Sequence, residues 1–247
     1  MHRFFVLEKI DTGMSVHITG DDYNHLKNAL RIKAGEELEI CDGCENVYLG
    51  QLSEYQNASA KISILGRIPG NNEPVCKITL YPALLKGDKF DTVMQKCIEC
   101  GVDMIQPMIT CNTISEVADK KEARKVERWN RIARMASMQS KRGKIVVVRE
   151  PKTLIECIKQ FSCNAMTLVC YECEESHTIK EAIEKAKGND IKNINIMIGP
   201  EGGFTEKEID LLKANGAHSV TLGKRILRAE TASTAAVYYC TCGYEWQ

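Results

Sequence analysis

From Lys77 to the end of the chain, apolar runs of strand length alternate with stretches of helical period, and this alternation restricts the fold more than any other feature. KITLYPAL (77–84) reads as a strand and KFDTVMQKCIECG (89–101) as a helix ending at Gly101. MIQPMIT, KIVVVRE, AMTLVCYE, INIMIGP and SVTLG read as further strands, separated by the helical segments 120–139, LIECIKQF, IKEAIEKAKG and TEKEIDLLKANG. A last helix runs through ETASTAAVYYC. Strands that are nearly continuous apolar runs, each followed by a helix, predict an α/β domain with a mostly parallel, helix-covered sheet.

The first seventy or so residues follow a different rule. RFFVLEKI, MSVHITG, ELEICDG, NVYLGQLSEY and SAKISILGRI alternate apolar and polar positions between Gly, Asp and Asn turns, which predicts a small β-barrel or sandwich. One helix is expected from about Asp21 to Leu30, with Asp21 or Asp22 as its N-cap. PGNNEP (69–74) has linker composition, so the expected domains are 1–72 and 73–247.

Composition excludes several classes. A chain that is 44% hydrophobic and 27% charged is neither a disordered tail nor a fibre. No run approaches the length of a membrane span, and MHRFFVLEKIDTG lacks a secretory h-region, so a cytoplasmic protein with no membrane partner is expected. In that compartment the 12 cysteines are reduced thiols. The CxxC pairs Cys41/Cys44, Cys97/Cys100 and Cys170/Cys173 stand far apart in dissimilar contexts, so they are read as packing residues and no metal is expected. Thirty-three basic residues balance 33 acidic ones. A nucleic-acid surface would therefore have to come from clustering of charge.

Two glycine loops carry the chemistry. The strand INIMI runs into Gly199-Pro-Glu-Gly-Gly203, and a helix follows with Thr205 as N-cap and Glu208 completing a capping box. The strand SVTLG (219–223) runs into GKRILRAETASTAA and the final helix. Glycines at such turns let backbone approach a ligand, and in open α/β sheets ligands sit beyond the carboxyl ends of strands. Two such loops in succession can enclose a small ligand such as an adenine between backbone amides and apolar side chains, among them Ile226 and Leu227. The first loop is neither a P-loop nor GxGxxG.

GPEGGFTEKEI followed by LGKRILRAETA resembles the signature of the SPOUT class of S-adenosylmethionine-dependent RNA methyltransferases, and within it the RsmE family. LLKGDKFDTVMQKCIECGVDMIQP (84–107), ERWNRIARMASMQSKR (127–142), MHRFFV and HLKNALRIKAGEELEICDG (25–43) extend the likeness over nearly the whole chain. The resemblance implies methylation of N3 of a uridine in 16S rRNA of the small ribosomal subunit. It implies an N-terminal PUA-like β-barrel, a C-terminal SPOUT α/β domain with a deep trefoil knot, and a homodimer. Carried over by position, the cofactor residues fall on Leu168, Ile198, Gly199, Pro200, Glu201, Gly202, Gly203, Leu222, Gly223, Ile226, Leu227, Arg228, Thr231 and Ala232. As catalytic residues, Arg228 would offset negative charge developing on the uracil, and Glu201 would take a proton or orient a water. The alternative is that Glu201 caps its own loop and Arg228 pairs with Glu230.

For RNA, the helix 120–139 gathers Lys121, Arg124, Arg128 and Arg131 on one face and Val126, Trp129, Ala133 and Ala136 on the other. Arg142 follows, and Arg3, His25 and Arg31 match positions of the family's N-terminal motif that would extend the track. Departures from the family pattern fall upstream of the cofactor loops. Thr113-Ile114 replaces an Arg-Ser pair, Met138 replaces an acid, and Gly143 and Val146 replace Asn and Pro. These changes are expected to bear on the RNA-facing surface. The rival readings are a SPOUT enzyme acting on another RNA, such as ribose 2′-O methylation of transfer RNA, and an RNA-binding homologue without catalysis.

Overall fold

The computed structural model describes residues 1–70, 72–113 and 119–246, with only the backbone described for 119–122. The chain divides into two compact units: Met1–Glu73 with Arg134–Ile145, and Pro74–Ala133 with Val146–Gln247.

The first unit is a five-stranded sheet in the order β1 (Arg3–Phe5), β3 (Glu37–Cys41), β4 (Val47–Gln56), β5 (Ser59–Ile68), β2 (Ser15–Thr19). All neighbours are antiparallel except β1 and β3. In β2 the alternation is literal: Val16 and Ile18 are buried while Ser15, His17 and Thr19 are less so. Register shifts between β4 and β5 at Leu49/Gly50 and Leu52/Glu54 curl the sheet into a half-barrel. Gly50 allows this close approach, since a Cβ there would lie 2.6 Å from the Ile62 side chain. The core comprises Phe4, Leu26, Leu38, Ile40, Leu52 and Ile62, joined by Met138 from the 134–145 segment. An acid at position 138 would be buried in that apolar cluster, which explains why an apolar residue suits it here.

The single helix expected at 21–30 is instead α1 (Gly20–Asn24) followed by one π-helical turn, His25–Ala29. Neither aspartate caps it. Thr19 holds the N-cap position without a side-chain bond, and Asp22 is buried, accepting from the Arg134 guanidinium at 3.0 Å.

The second unit is a six-stranded, wholly parallel sheet. Its order is β13 (Ala217–Val220), β11 (Ala165–Cys170), β12 (Asn193–Ile198), β6 (Lys77–Pro82), β7 (Met104–Ile105), β9 (Val147–Val148). Pro107, which cannot donate to a ladder, splits the expected strand MIQPMIT into β7 and β8 (Met108–Ile109), and β8 pairs separately with β10 (Lys152–Thr153). Five of the six residues of β12 are buried, as befits a strand covered on both faces. Helix α6 (Glu206–Ala214) packs Ile209 and Leu212 on Val169, Met197 and Ala217. Helix α7 (Ala229–Glu245) packs on β12 and β6, and also on α2 (Lys89–Glu99) and α5 (Ile179–Gly188). The chain leaves β11 toward β12 but returns from β12 past β11 to β13, so the connections diverge at these strands. A reversal of this kind opens a crevice at the carboxyl ends.

Candidate functional site

A cavity of about 140 Å³ occupies that crevice. It is lined by Cys170, Tyr171 and Glu172 after β11, by Ile198, Gly199, Pro200, Glu201 and Gly203 after β12, by Thr221–Leu227 after β13, and by Ala229 and Ala232 of α7. Two features shape the first loop. Gly203 has φ +66°, and a Cβ there would meet the Glu172 carboxylate at 2.2 Å. Its N–H donates to Pro200 O at 2.9 Å, closing the turn. The expected capping box is present: Glu208 N donates to Thr205 Oγ1 at 3.3 Å, and Thr205 N to Glu208 Oε2 at 2.9 Å. Burial raises the Glu208 carboxyl, but the hydrogen bonds from Cys111 and Thr205 outweigh it and hold the group below the usual range.

The second loop offers donors. Gly223, at φ +112°, donates to Thr221 Oγ1 at 3.2 Å. Among the described residues the backbone N–H groups of Leu222, Lys224, Arg225, Ile226 and Leu227 find no backbone acceptor. At the start of α7 the N-cap Arg228 makes no side-chain capping bond, so the first-turn amides are open as well. Apolar Ile198, Leu222, Leu227 and Ala232, acidic Glu172 and Glu201, and unsatisfied amides thus converge on one cavity.

Ten of the expected positions line this cavity: Ile198, Gly199, Pro200, Glu201, Gly203, Leu222, Gly223, Ile226, Leu227 and Ala232. Four do not. Leu168 is fully buried in β11, two residues short of its end. Gly202 faces Asn112, Arg228 is exposed at the N-cap, and Thr231 is exposed in the first turn of α7. Cys170, Tyr171, Glu172, Thr221, Lys224, Arg225 and Ala229 were not anticipated. For Cys170, Tyr171 and Glu172 the end of the apolar run AMTLVC was the signal, because a third strand end borders the same crevice. Thr221, Lys224, Arg225 and Ala229 lie within or beside the second glycine loop.

Glu201 takes a hydrogen bond from its own backbone N–H, as the capping alternative has it, and also reaches a second segment. Its Oε1 accepts from Lys89 Nζ at 2.9 Å and from Lys86 N at 3.5 Å. Burial pushes its carboxyl up, yet the Lys89 hydrogen bond and neighbouring donors prevail and hold it below the usual carboxylate range. Arg228 forms no ion pair with Glu230, whose Oε2 is buried without a partner among the described residues.

Residues 71–240 match the family described as RNA methyltransferase domain, and residues 18–65 match the RNA methyltransferase PUA domain. A ribosomal RNA small subunit methyltransferase E from Mesomycoplasma hyopneumoniae (strain 232) is 35% identical over 97% of this chain and 99% of its own length. The chain belongs to this methyltransferase E family. A crystal structure of a methyltransferase E from Neisseria gonorrhoeae, bound to S-adenosyl methionine, superposes with a TM-score of 0.85 at 30% identity, covering 96% of this chain and 95% of that one. A putative methyltransferase from Legionella pneumophila in complex with the same cofactor gives a TM-score of 0.85 at 26% identity over 96% of each chain. The half-barrel of this RNA methyltransferase is therefore a PUA domain, and its parallel sheet carries the SPOUT-like catalytic fold.

The basic residues separate into two groups. Arg3 and Arg142 are 4% and 2% exposed, so the expectation that they extend an exposed track is corrected. Arg3 donates to Glu39 at 2.9 Å and to the carbonyls of Lys141, Arg142 and Gly70, while Arg142 pairs with Glu73. A guanidinium satisfied inside a domain has no donors left for a phosphate. Arg31 is exposed at φ +55°, and His25 is partly exposed beside Phe4, with ring centroids 6.3 Å apart. On α3 (Asp119–Gln139), Arg124, Arg128 and Arg131 are exposed, and Trp129 and Ala133 are buried as the helical spacing predicts. Arg128 is ion-paired with Asp91. The side chain of Lys121 lies outside the described residues. No helix among the described residues is long and apolar enough to cross a membrane, and no group of three or more His, Cys, Asp or Glu among them is placed to hold a metal. Of the CxxC cysteines, Cys41 and Cys97 are buried and Cys100 and Cys170 partly so, but Cys44 and Cys173 are exposed, which corrects the packing reading for those two.

Proposed function

We propose that this chain transfers the methyl group of S-adenosylmethionine to N3 of a specific uridine in 16S rRNA of the small ribosomal subunit, in the cytoplasm and as a homodimer. The convergence of three strand ends and the start of α7 on one cavity carries the reading. The residues fit the donor: open amides of 222–227 for the acceptor edge of an adenine, Leu222 and Leu227 for its faces, and the carboxylates of Glu172 and Glu201 for its positive charge. When bound, S-adenosylmethionine supplies an electrophilic methyl on a sulfonium. The acceptor imide is protonated at neutral pH, so as N3 takes the methyl from sulfur its proton passes to water, and the negative charge developing on the uracil needs stabilisation. Arg228, next to the lining residues Leu227 and Ala229, and the uncapped end of α7 supply positive potential there. Glu201, ionised and held by Lys89, is a weak base; its proposed part is to hold the loop and face the donor's charge.

Methyl transfer to small subunits lacking the modification, followed by mapping of the base, tests this reading. Label on N3 of one uridine is the expected result, and label on a ribose or on transfer RNA would overturn it. RNA contact is proposed for the exposed face of α3 and, separately, for Arg31 of the first unit. Arg124→Ala is expected to weaken binding to every RNA alike and to lower the slope of log K against log salt by about 1. An unchanged slope would remove α3 from the interface. Exposed Tyr238, Tyr239 and Trp246 give the second unit an aromatic surface suited to self-association, which sedimentation would reveal.

A further inference from the structure

We infer that Asn112 is a positioning residue for the donor-binding loop, an inference that rests on the cofactor reading above. Asn112 lies in a tight turn after β8 and does not line the cavity. Its Nδ2 donates to the carbonyls of both Gly202 and Gly203, at 3.0 and 3.1 Å. A Cβ on Gly202 would stand 3.2 Å from the Asn112 Cβ, so the Asn112 side chain packs directly on the Gly202 backbone. Because both partners are carbonyl acceptors, only the amide nitrogen fits. Two consecutive carbonyls drawn outward fix the peptide planes on either side of Gly203, where φ is +66°. That leaves Pro200, Glu201 and the Gly203 backbone facing the ligand.

Asn112 is itself held from two directions. Thr113 N donates to Thr110 O at 3.1 Å, and Thr110 N to Thr113 Oγ1 at 2.9 Å. Cys111 N donates to Glu208 Oε1 at 2.9 Å, while the other oxygen of Glu208 serves the α6 capping box. The turn, the loop and the start of α6 therefore form one hydrogen-bonded unit whose single side-chain tie to the loop carbonyls, among the described residues, is Asn112.

Titration of S-adenosylmethionine into the full-length wild type and the variants Asn112→Ala, Asn112→Asp and Asn112→Gln tests the assignment, with turnover measured at saturating donor and thermal midpoints recorded alongside. Asn112→Ala should raise the dissociation constant about five- to tenfold, leaving saturated turnover and the midpoint unchanged. Asn112→Asp should bind more weakly still, because it sets carboxylate oxygens against carbonyls. Asn112→Gln, which keeps the NH₂, should fall between wild type and Asn112→Ala. Equal affinities across the series would overturn the assignment, as would losses that track a falling midpoint. A wild type that binds no S-adenosylmethionine would overturn the cofactor reading first, a result recognisable without any variant.

Discussion

Arg228→Ala is expected to lower turnover about a hundredfold while the dissociation constant for S-adenosylmethionine stays within about threefold of wild type. The separation follows from placement. Leu227 and Ala229 line the cavity but Arg228 between them does not, and its side chain is exposed at the N-cap of α7 without a capping bond. Removing it should leave the walls that hold the donor intact. What is lost is positive potential where the acceptor imide would develop negative charge, an interaction stronger in the transition state than in the ground state. Arg228→Lys should recover part of the rate, since charge is kept and the planar fork is lost. Calorimetric titration with single-turnover methyl transfer separates the two quantities. Full turnover in Arg228→Ala would take this residue out of the chemistry.

The second large effect concerns stability. Arg142 and Glu73 have side chains only 3% and 6% exposed, joined at 2.9 and 2.6 Å by two parallel N–H···O bonds, with Gly143 N adding a third donor to Glu73 at 2.8 Å. Truncating Arg142 to alanine leaves a carboxylate buried with fewer partners, and breaking such a pair costs about 3–5 kcal/mol. Denaturant unfolding should show a loss of that order, and a loss under about 1 kcal/mol would refute the argument. The pH dependence has a definite sign. Burial raises the Glu73 carboxyl, but Arg142 outweighs it and leaves the folded group below its ordinary range. A carboxyl depressed in the folded state stabilises the protein above its unfolded pKa of about 4.3. That contribution disappears as pH falls through the lower, folded value. The gap between wild type and variant should therefore narrow in acid, and Glu73→Gln should lack this component.

Local rules were legible in the sequence where a few neighbouring residues decide the outcome. The Thr205/Glu208 box, the buried face of α3 and the strand-end position of both glycine loops were all readable from spacing. Long-range pairing was not. Arg3 and Arg142 resemble surface cations until Glu39 and Glu73, 36 and 69 positions away, are brought against them. Asp22 reads as a cap until Arg134, 112 positions on, claims it. Pairings of this kind also draw residues 134–145 into the first unit, where a contiguous boundary had no place for them. The departures after β8 were expected to concern RNA, yet Asn112, adjacent to them, reaches the donor loop. No periodicity encodes a turn whose function is to hold another turn.

The two loops differ in how much order they already possess. Asn112, Lys89 and the capping box restrain Gly199–Gly203 before any ligand arrives, so its conformational entropy is spent during folding. The 222–227 segment has unpaired amides, and its Ile226 is 87% exposed. The cavity is smaller than the roughly 300 Å³ at which sites for drug-sized ligands begin. Enclosing a ligand of that size therefore falls to this second loop, where burial of Ile226 would register as a negative heat-capacity change and partly offset the entropy of ordering it.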